Sequence, residues 1–216
     1  MDKNLVRAHL EKNGYEIILE KRYKTHAWRF KLDNGTSVYC GDNNKVWADG
    51  KCKKEVEAYL SSCNLFPNNK VFIVYGRDTE SRDKLIEMLS SWGIESLMLE
   101  NLPVEGRTII EQLEHYIPQA NMGIVLATPD DVGYLAGCEN EAKKRARQNV
   151  VLELGMLFSK LGRSRVIIVQ KKCKDFENPS DIGGLLCFRF EKHIEEIADK
   201  IIRELNKQGY EIPVYK

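Results

Sequence analysis

The chain of 216 residues is long enough for one ordinary domain together with a small one. Hydrophobic residues make up 43% and charged residues 30% of it, a composition typical of globular proteins. The net charge of +1 predicts neither a strong nucleic-acid binder nor a binder of acidic surfaces. Since no apolar run approaches the ~20 residues of a transmembrane helix and the N-terminus lacks a signal-peptide core, we expect a cytoplasmic protein without a membrane partner.

The first 65 residues are predicted to form a small α+β module. A helix is expected at 5–10 and another from 53 to 60. Four strands are expected between them, at 15–19, 26–32, 36–40 and 45–48. Because Asn34 and Gly35 tolerate positive φ, the second and third strands should form a hairpin within an antiparallel meander.

A linker is predicted at 64–70, and the pattern changes after it. Residues 70–216 alternate between short apolar runs and segments of helical periodicity, which indicates an α/β domain with a doubly wound, mostly parallel sheet. The strands are expected at 71–75, 95–99, 122–128, 165–169 and 186–190. The helices are expected at 79–92, at 108–116, within 139–161 after a charged lead-in, and at 193–208.

The helix that follows the third of these strands carries an acidic residue at the border of its apolar stripe. At about 100° per residue, the stripe contains Val150, Val151, Leu154, Leu157, Phe158 and Leu161. Glu153 projects from the edge of this stripe, so its carboxylate should be half sheltered from water. The simpler interpretation is a glutamate that pairs with a nearby arginine, and the rest of the chain decides whether it has a function.

Ligands of open α/β sheets bind beyond the carboxyl ends of the strands. At these ends the sequence places Gly76, Arg77 and Asp78, then Arg107 in the loop 102–107, and then Asp130 and Asp131. Each segment also has a structural interpretation, as an N-cap, an exposed loop and a turn. The sequence contains no Walker A motif, no G-x-G-x-x-G fingerprint and no recognisable nucleophile motif.

The six cysteines are scattered along the chain without a C-x-x-C pair or matching histidines. This spacing argues against a zinc site. A disulfide framework is also unexpected in a chain of this length that can build its own core. We therefore expect reduced thiols and no bound metal.

Four blocks that occur in a fixed order resemble the bacterial TIR-like nucleotide-binding proteins, effectors of anti-phage systems that respond to a nucleotide signal. The blocks are VFIVYGRD at 71–78, EGRTIIE at 105–111, LATPDDVG at 126–133 and RARQNVVLELG at 145–155. The segment 179–184 and the apolar strand after it also match, so the resemblance covers roughly residues 70–210. It implies a flavodoxin-like TIR fold and cleavage of NAD⁺, the substrate, at the nicotinamide–ribose bond without a cofactor.

By this resemblance, Glu153 matches the single glutamate that is essential in such enzymes. A carboxylate suits the reaction, because departure of nicotinamide leaves an oxocarbenium-like ribose whose charge it stabilises. The substrate-binding residues that the resemblance implies are Gly76, Arg77, Asp78, Arg107 and Asn149. The loop 102–107 would be the BB loop, which gates the site and mediates self-assembly through TIR–TIR contacts.

The N-terminal module loosely resembles the TBP-like domain that precedes bacterial ribonuclease HIII, through segments 28–36 and 45–50. This implies a sheet surface that contacts nucleic acid or protein. Its aromatic residues either stack on bases or belong to the core, and they are Trp28, Phe30, Tyr39 and Trp47. We expect a nucleotide, nucleic-acid or protein trigger at this module.

Three alternatives to a triggered NAD⁺ hydrolase stay open at this point. The enzyme would form a cyclic ADP-ribose signal in the first. In the second it would be a non-catalytic adaptor in which Glu153 is structural. The third is a nucleotide sensor that binds NAD⁺ without turnover.

Overall fold

A computed structural model describes residues 3–42, 46–62, 69–182, 184–210 and 212. The chain divides into two compact units, of which the first comprises Met1–Asn68 and Leu205–Glu211 and the second Asn69–Glu204 and Ile212–Lys216. The predicted linker at 64–70 lies almost wholly outside the described residues. The domain boundaries at 65 and 70 therefore stay a prediction.

The first unit contains helices α1 (Lys3–Lys12) and α2 (Lys53–Ser62). Its four strands are β1 (Ile17–Tyr23), β2 (Ala27–Leu32), β3 (Ser37–Gly41) and β4 (Val46–Asp49). They form an antiparallel sheet in the order β1-β2-β3-β4, which confirms the predicted meander. The prediction for the first strand was displaced, because its polar residues up to Tyr23 still pair with β2. Lys45, predicted to begin the fourth strand, lies outside the described residues.

The core of the first unit lies where both helices pack on one face of this sheet. It contains Val6 and Leu10 of α1, Val56 and Leu60 of α2, and strand residues that include Phe30. Phe30 is fully buried, and Trp28 is partly buried against the same core with Lys3 Nζ 3.5 Å from its ring centroid. Tyr39 and Trp47 stack on each other with ring centroids 5.1 Å apart. The resemblance to a TBP-like domain stays a prediction.

The second unit is built on a five-stranded parallel sheet. The strands of the whole unit in chain order are β5 (Lys70–Tyr75), β6 (Glu95–Leu97), β7 (Met122–Ala127), β8 (Asp131–Gly133), β9 (Lys143–Arg145), β10 (Val166–Lys171), β11 (Phe176–Glu177) and β12 (Cys187–Phe190). The main sheet has the order β12-β10-β7-β5-β6 and all its strands are parallel. This confirms the predicted fold class of a parallel α/β sheet preceded by an antiparallel module.

Four helices follow β5 in the chain, and the last of them crosses the division between the two units at Leu205. They are α3 (Thr79–Ser91), α4 (Ile109–Tyr116), α5 (Gln148–Leu161) and α6 (Ala198–Lys207). Helices α4 and α5 share one apolar core with β5, β7 and β10, so they cover the same face of the sheet. Helix α3 packs against the 3₁₀ turn Ile194–Ile197. Among the described residues, none of the helices has the length and apolar character to cross a membrane.

The apolar stripe of α5 differs at one position from the prediction. Its residues Val150, Leu154, Leu157 and Leu161 are buried, as expected. Val151 is 37% exposed and is not part of the buried core. The stripe that packs on the sheet is therefore narrower than the helical periodicity of the sequence predicts.

A short sheet of strand order β11-β9-β8 was not predicted. Its strands have two or three residues each, and β9 consists of Lys143, Lys144 and Arg145. Such short charged segments have no alternating pattern, and pairing across the fold makes them strands. The charged lead-in to α5 thus contains a strand, and α5 begins only at Gln148.

Candidate functional site

A cavity of about 360 Å³ opens at the carboxyl edge of the parallel sheet. The end of β5, the segment that follows β6, and the beginning of α5 surround it. Its polar lining residues are Tyr75, Glu100, Gln112, Arg147 and Glu153. Its apolar lining includes Leu99, Leu102, Val104 and Ile109. The cavity thus lies where ligands of open α/β sheets bind.

Glu153 is a partly buried carboxylate without a partner. It makes no hydrogen bond or ion pair with any residue that the structure describes. Burial raises the pKa of Glu153 to about 7, and the positive charge of Arg147 lowers it only in part. Because none of the described arginines pairs with it at contact distance, the simpler interpretation of Glu153 as half of a structural ion pair does not hold. Unpaired titratable groups in a cleft are typical of functional sites.

The loop 102–107 is held over the cavity by α4. Its tight turn places Glu105 and Gly106 at positive φ, 48° and 72°. Gln112 and Tyr116 of α4 donate hydrogen bonds to two carbonyl groups of the loop, at 3.3 and 2.9 Å. Since Gln112 also lines the cavity, it joins the loop directly to the site.

Gly76 lines the cavity, and the structure shows why a residue without a side chain stands at this position. The carboxylate of Asp130, after β7, accepts a hydrogen bond from the backbone N–H of Arg77 at 3.0 Å. Thr128 donates to the same carboxylate at 2.9 Å. A Cβ atom at Gly76 would lie 1.7 Å from Asp130 Oδ2, so the Asp130 carboxylate would have to leave its present position. Asp130 thus ties the ends of β5 and β7 together.

Asp78 serves the fold at the start of α3. Its carboxylate accepts hydrogen bonds from the backbone N–H and hydroxyl of Ser81, both at 2.9 Å, and from Lys171 at 2.7 Å. Burial alone would raise the pKa of Asp78, but the hydrogen bonds from Lys171 and Ser81 outweigh it and lower the pKa. The N-cap interpretation therefore describes Asp78 in this structure.

The structure brings together two of the six predicted site residues, Gly76 and Glu153, in one cavity. The other four predicted residues, Arg77, Asp78, Arg107 and Asn149, are not among the described lining residues. Arg77 and Asn149 are exposed, and Arg107 pairs with Glu105. The roles of all six in substrate binding and catalysis stay predictions.

Several lining residues were missed. Tyr75 is the last residue of β5 and Glu100 lies in the 3₁₀ turn Leu99–Asn101 after β6, so the rule that ligands bind at strand ends could have found both. Arg82 donates hydrogen bonds to the Tyr75 hydroxyl at 2.8 Å and to Glu100 at 3.3 Å, which joins these two side chains. Burial, followed by the hydrogen bond with Glu100, raises the pKa of Tyr75. Gln112 had no sequence signal, because only the packing of α4 brings it to the cavity. Arg147 lies in the block RARQNVVLELG at 145–155 but was not predicted to bind substrate.

The family model for the TIR domain of CAP12/Pycsar effector proteins matches residues 70–192, the segment that contains the parallel sheet and this cavity. The chain belongs to this family. The resemblance to bacterial TIR-domain effectors is thereby confirmed, and Glu153 lies within the TIR domain.

Curated relatives agree with this assignment. The chain is similar to the uncharacterized protein YuaY of Escherichia coli, at 39% identity over 58% of this chain and 41% of that protein. It is also similar to protein tirC of Dictyostelium discoideum, at 34% identity over 61% of this chain and 69% of that protein. The Pycsar effector protein PaPycTIR of Pseudomonas aeruginosa is 28% identical over 45% of this chain and 32% of that protein. The chain thus spans about two fifths of the length of the E. coli relative.

Proposed function

We propose that the TIR domain cleaves NAD⁺ at the nicotinamide–ribose bond and that the chain is an effector of bacterial anti-phage immunity. The observation that carries this proposal is the unpaired carboxylate of Glu153 in a cavity at the carboxyl edge of the sheet. Membership of the CAP12/Pycsar effector TIR family supports the effector role. The similarity of the region to PaPycTIR, a Pycsar effector, points the same way.

The chemistry requires one well-placed carboxylate. In NAD⁺ the bond between ribose C1′ and the nicotinamide nitrogen breaks, and the electron pair leaves with neutral nicotinamide. An oxocarbenium-like ribose remains, and ionised Glu153 would stabilise its positive charge. Water then adds to C1′ and releases a proton, which gives ADP-ribose. Nicotinamide leaves without protonation, so no second acidic group is needed.

The environment of Glu153 suits a cationic substrate. Because burial raises its pKa to about 7, the carboxylate is only partly ionised near neutral pH in the free protein. A positively charged nicotinamide ring in the cavity would favour the ionised form. We therefore expect kcat/KM to rise with pH through about 7 and then to reach a plateau.

The cavity volume of about 360 Å³ suits the nicotinamide riboside part of the substrate. Leu99, Leu102 and Ile109 provide apolar contact for the ring. Arg147 lines the cavity and is exposed at its mouth, so it is placed to meet the diphosphate.

Self-assembly through TIR–TIR contacts is part of the proposal. Three apolar side chains of the loop 102–107 and the start of α4 are exposed, Val104 by 58%, Ile109 by 64% and Ile110 by 44%. An exposed apolar group of this kind marks a contact surface. The test follows particle size and NAD⁺ loss together after the protein is concentrated. Full activity from a strict monomer would contradict activation by assembly.

The deciding experiment measures nicotinamide release from NAD⁺ at high protein concentration. Wild type is compared with Glu153→Gln, which keeps the shape and removes the charge. Glu87→Gln, on the exposed side of α3, is the matched control. We expect the Glu153 variant to lose activity by at least about a hundredfold and the control to keep it. Equal release by wild type and Glu153→Gln would remove Glu153 from the mechanism.

Chromatography of the products separates the two enzymatic outcomes. ADP-ribose is expected for a hydrolase, and a cyclic product would identify a cyclase at the same site. NAD⁺ binding without nicotinamide release would instead favour a sensor. The trigger at the N-terminal module stays a prediction.

A further inference from the structure

A second cavity, of about 540 Å³, lies within the TIR domain and shares no lining residue with the first. Helix α5 separates the two. Its residues Val150, Val151 and Leu154 line the second cavity, whereas Glu153 lines the first. The volume falls within the range of roughly 300–1,000 Å³ that is typical of small-molecule sites.

The topology explains why this cavity exists. Parallel neighbours in a sheet are usually joined by a crossover helix. The connections from β5 to β6, β6 to β7 and β7 to β10 each contain one, namely α3, α4 and α5. The described residues between β10 and β12 contain only the short strand β11 and the 3₁₀ turn Ser180–Ile182. The face of the sheet next to α5 is therefore covered by a loop, with space beneath it.

The walls of the cavity are apolar and its rim is polar. Val125 and Ala127 of β7 and Ile168 of β10 line it from the sheet, and Phe176 of β11 adds an aromatic ring. The polar lining residues are Arg145, Gln148, Asn178, Ser180 and the exposed Glu177. Such a lining suits a molecule with an apolar body and one polar end.

Arg145 supplies the charge that identifies the polar end. Its guanidinium lies against the backbone of Gly133, where an added Cβ atom would come within 2.5 Å of Nη1. Its Nε is buried and has no hydrogen-bond partner in the part of the chain that the structure describes. Glu177, its neighbour across the β9–β11 pair, forms no ion pair with it among the described contacts. Arg145 therefore lines the cavity with a cationic side chain that has no ion-pair partner among the described residues, and an anion bound in the cavity would supply the missing counter-charge.

We propose that this cavity binds a small amphipathic anion, with a flat apolar body between α5 and Phe176 and one carboxylate, sulfonate or phosphate held by Arg145. Arginine is the side chain best suited to such oxyanions, since its planar donors match their geometry. The inference does not depend on NAD⁺ chemistry, because it concerns binding at a separate cavity.

The test uses 1-anilinonaphthalene-8-sulfonate as the probe, in a fluorescence titration of the full chain. We expect saturable binding of one probe per chain. Arg145→Gln should lower the affinity for the probe by about tenfold or more, because it removes a charge-assisted hydrogen bond. N-phenyl-1-naphthylamine, which has the same rings without the sulfonate, should also bind about tenfold more weakly. Val151→Trp should abolish binding by filling the cavity.

Two matched controls make the result specific. Lys144→Gln removes an exposed charge next to Arg145, and Leu152→Trp places the same indole one residue from Val151, outside the cavity. Both should change the affinity by less than about twofold. Circular dichroism identifies any variant that fails to fold, and the comparison of the two probes on wild type needs no variant.

Several results would overturn the proposal. Wild type could show no saturable binding, or binding that Val151→Trp leaves unchanged. Equal affinity for the charged and uncharged probes would remove the role of Arg145. Wild type could also self-associate without binding the probe, and Val151→Trp could block this self-association. That result would assign the cavity to a second copy of the chain and overturn the proposal of a small-ligand site.

Discussion

Replacing Glu153 with glutamine is expected to stabilise the protein at alkaline pH while it removes the proposed activity. The folded chain holds the proton of Glu153 with a pKa of about 7, above the ordinary value of 4.5. Folded protein therefore binds more protons than unfolded protein between these values, and the free energy of unfolding falls as the pH rises through this window. Glutamine has no proton to lose, so the variant escapes this decrease.

The size of the effect follows from the difference between the two pKa values. Each pKa unit corresponds to about 1.4 kcal/mol, which places the upper bound at about 3 kcal/mol. Glu153 is partly exposed, and solvent screens its charge, so we expect a gain of about 1–3 kcal/mol at pH 8. Near pH 4 both states are mostly protonated and the difference should be close to that between a neutral acid and an amide.

Urea unfolding of wild type and Glu153→Gln at pH 8 and pH 4, followed by circular dichroism, measures this difference. Glu87→Gln is the control for a surface charge of the same kind. The reasoning is refuted if the stability difference between wild type and Glu153→Gln is the same at both pH values. Such a result would mean that the carboxylate is well solvated in the folded protein.

Three further changes test the supports of the site. Gly76→Ala should lower the free energy of unfolding by about 1–3 kcal/mol, because its Cβ would meet Asp130. In a protein that already carries Asp130→Ala, the same change should cost less than about 1 kcal/mol. Additive costs of the two changes in this double-mutant cycle would contradict the contact. Asp78→Asn should cost about 1 kcal/mol at pH 7 through the loss of its ion pair with Lys171. Because the pKa of Asp78 is lowered, this cost should disappear as the pH falls below 3.8, and a cost that persists there would refute the charge effect. Thr108→Ala should cost about 1 kcal/mol in urea unfolding by removing the N-cap of α4, and an unchanged midpoint would show that the cap is dispensable.

The types and order of the main elements could be predicted from local pattern. Buried parallel strands read as continuous apolar runs, and β5, β7 and β10 lie where those runs are. Helix periodicity placed Glu153 at the edge of a buried stripe, and the structure finds it partly buried there. Because ligands of open α/β sheets bind beyond the carboxyl ends of the strands, the sequence also indicated Gly76, which lines the cavity.

Contacts between distant segments decided the rest. The hydrogen bond between Asp130 and the backbone of Arg77 joins residues 53 positions apart. From the sequence alone, Asp130 could be interpreted as an ordinary turn residue. Gln112 comes to the cavity from α4, and Arg147 comes to it from the residue that precedes α5. The sequence by itself determined the periodicities, the helix caps and the family motifs, because these depend on neighbours within a few residues. Only the tertiary structure decided that Glu153 has no partner among the described residues, since desolvation and pairing depend on what the fold brings around a side chain.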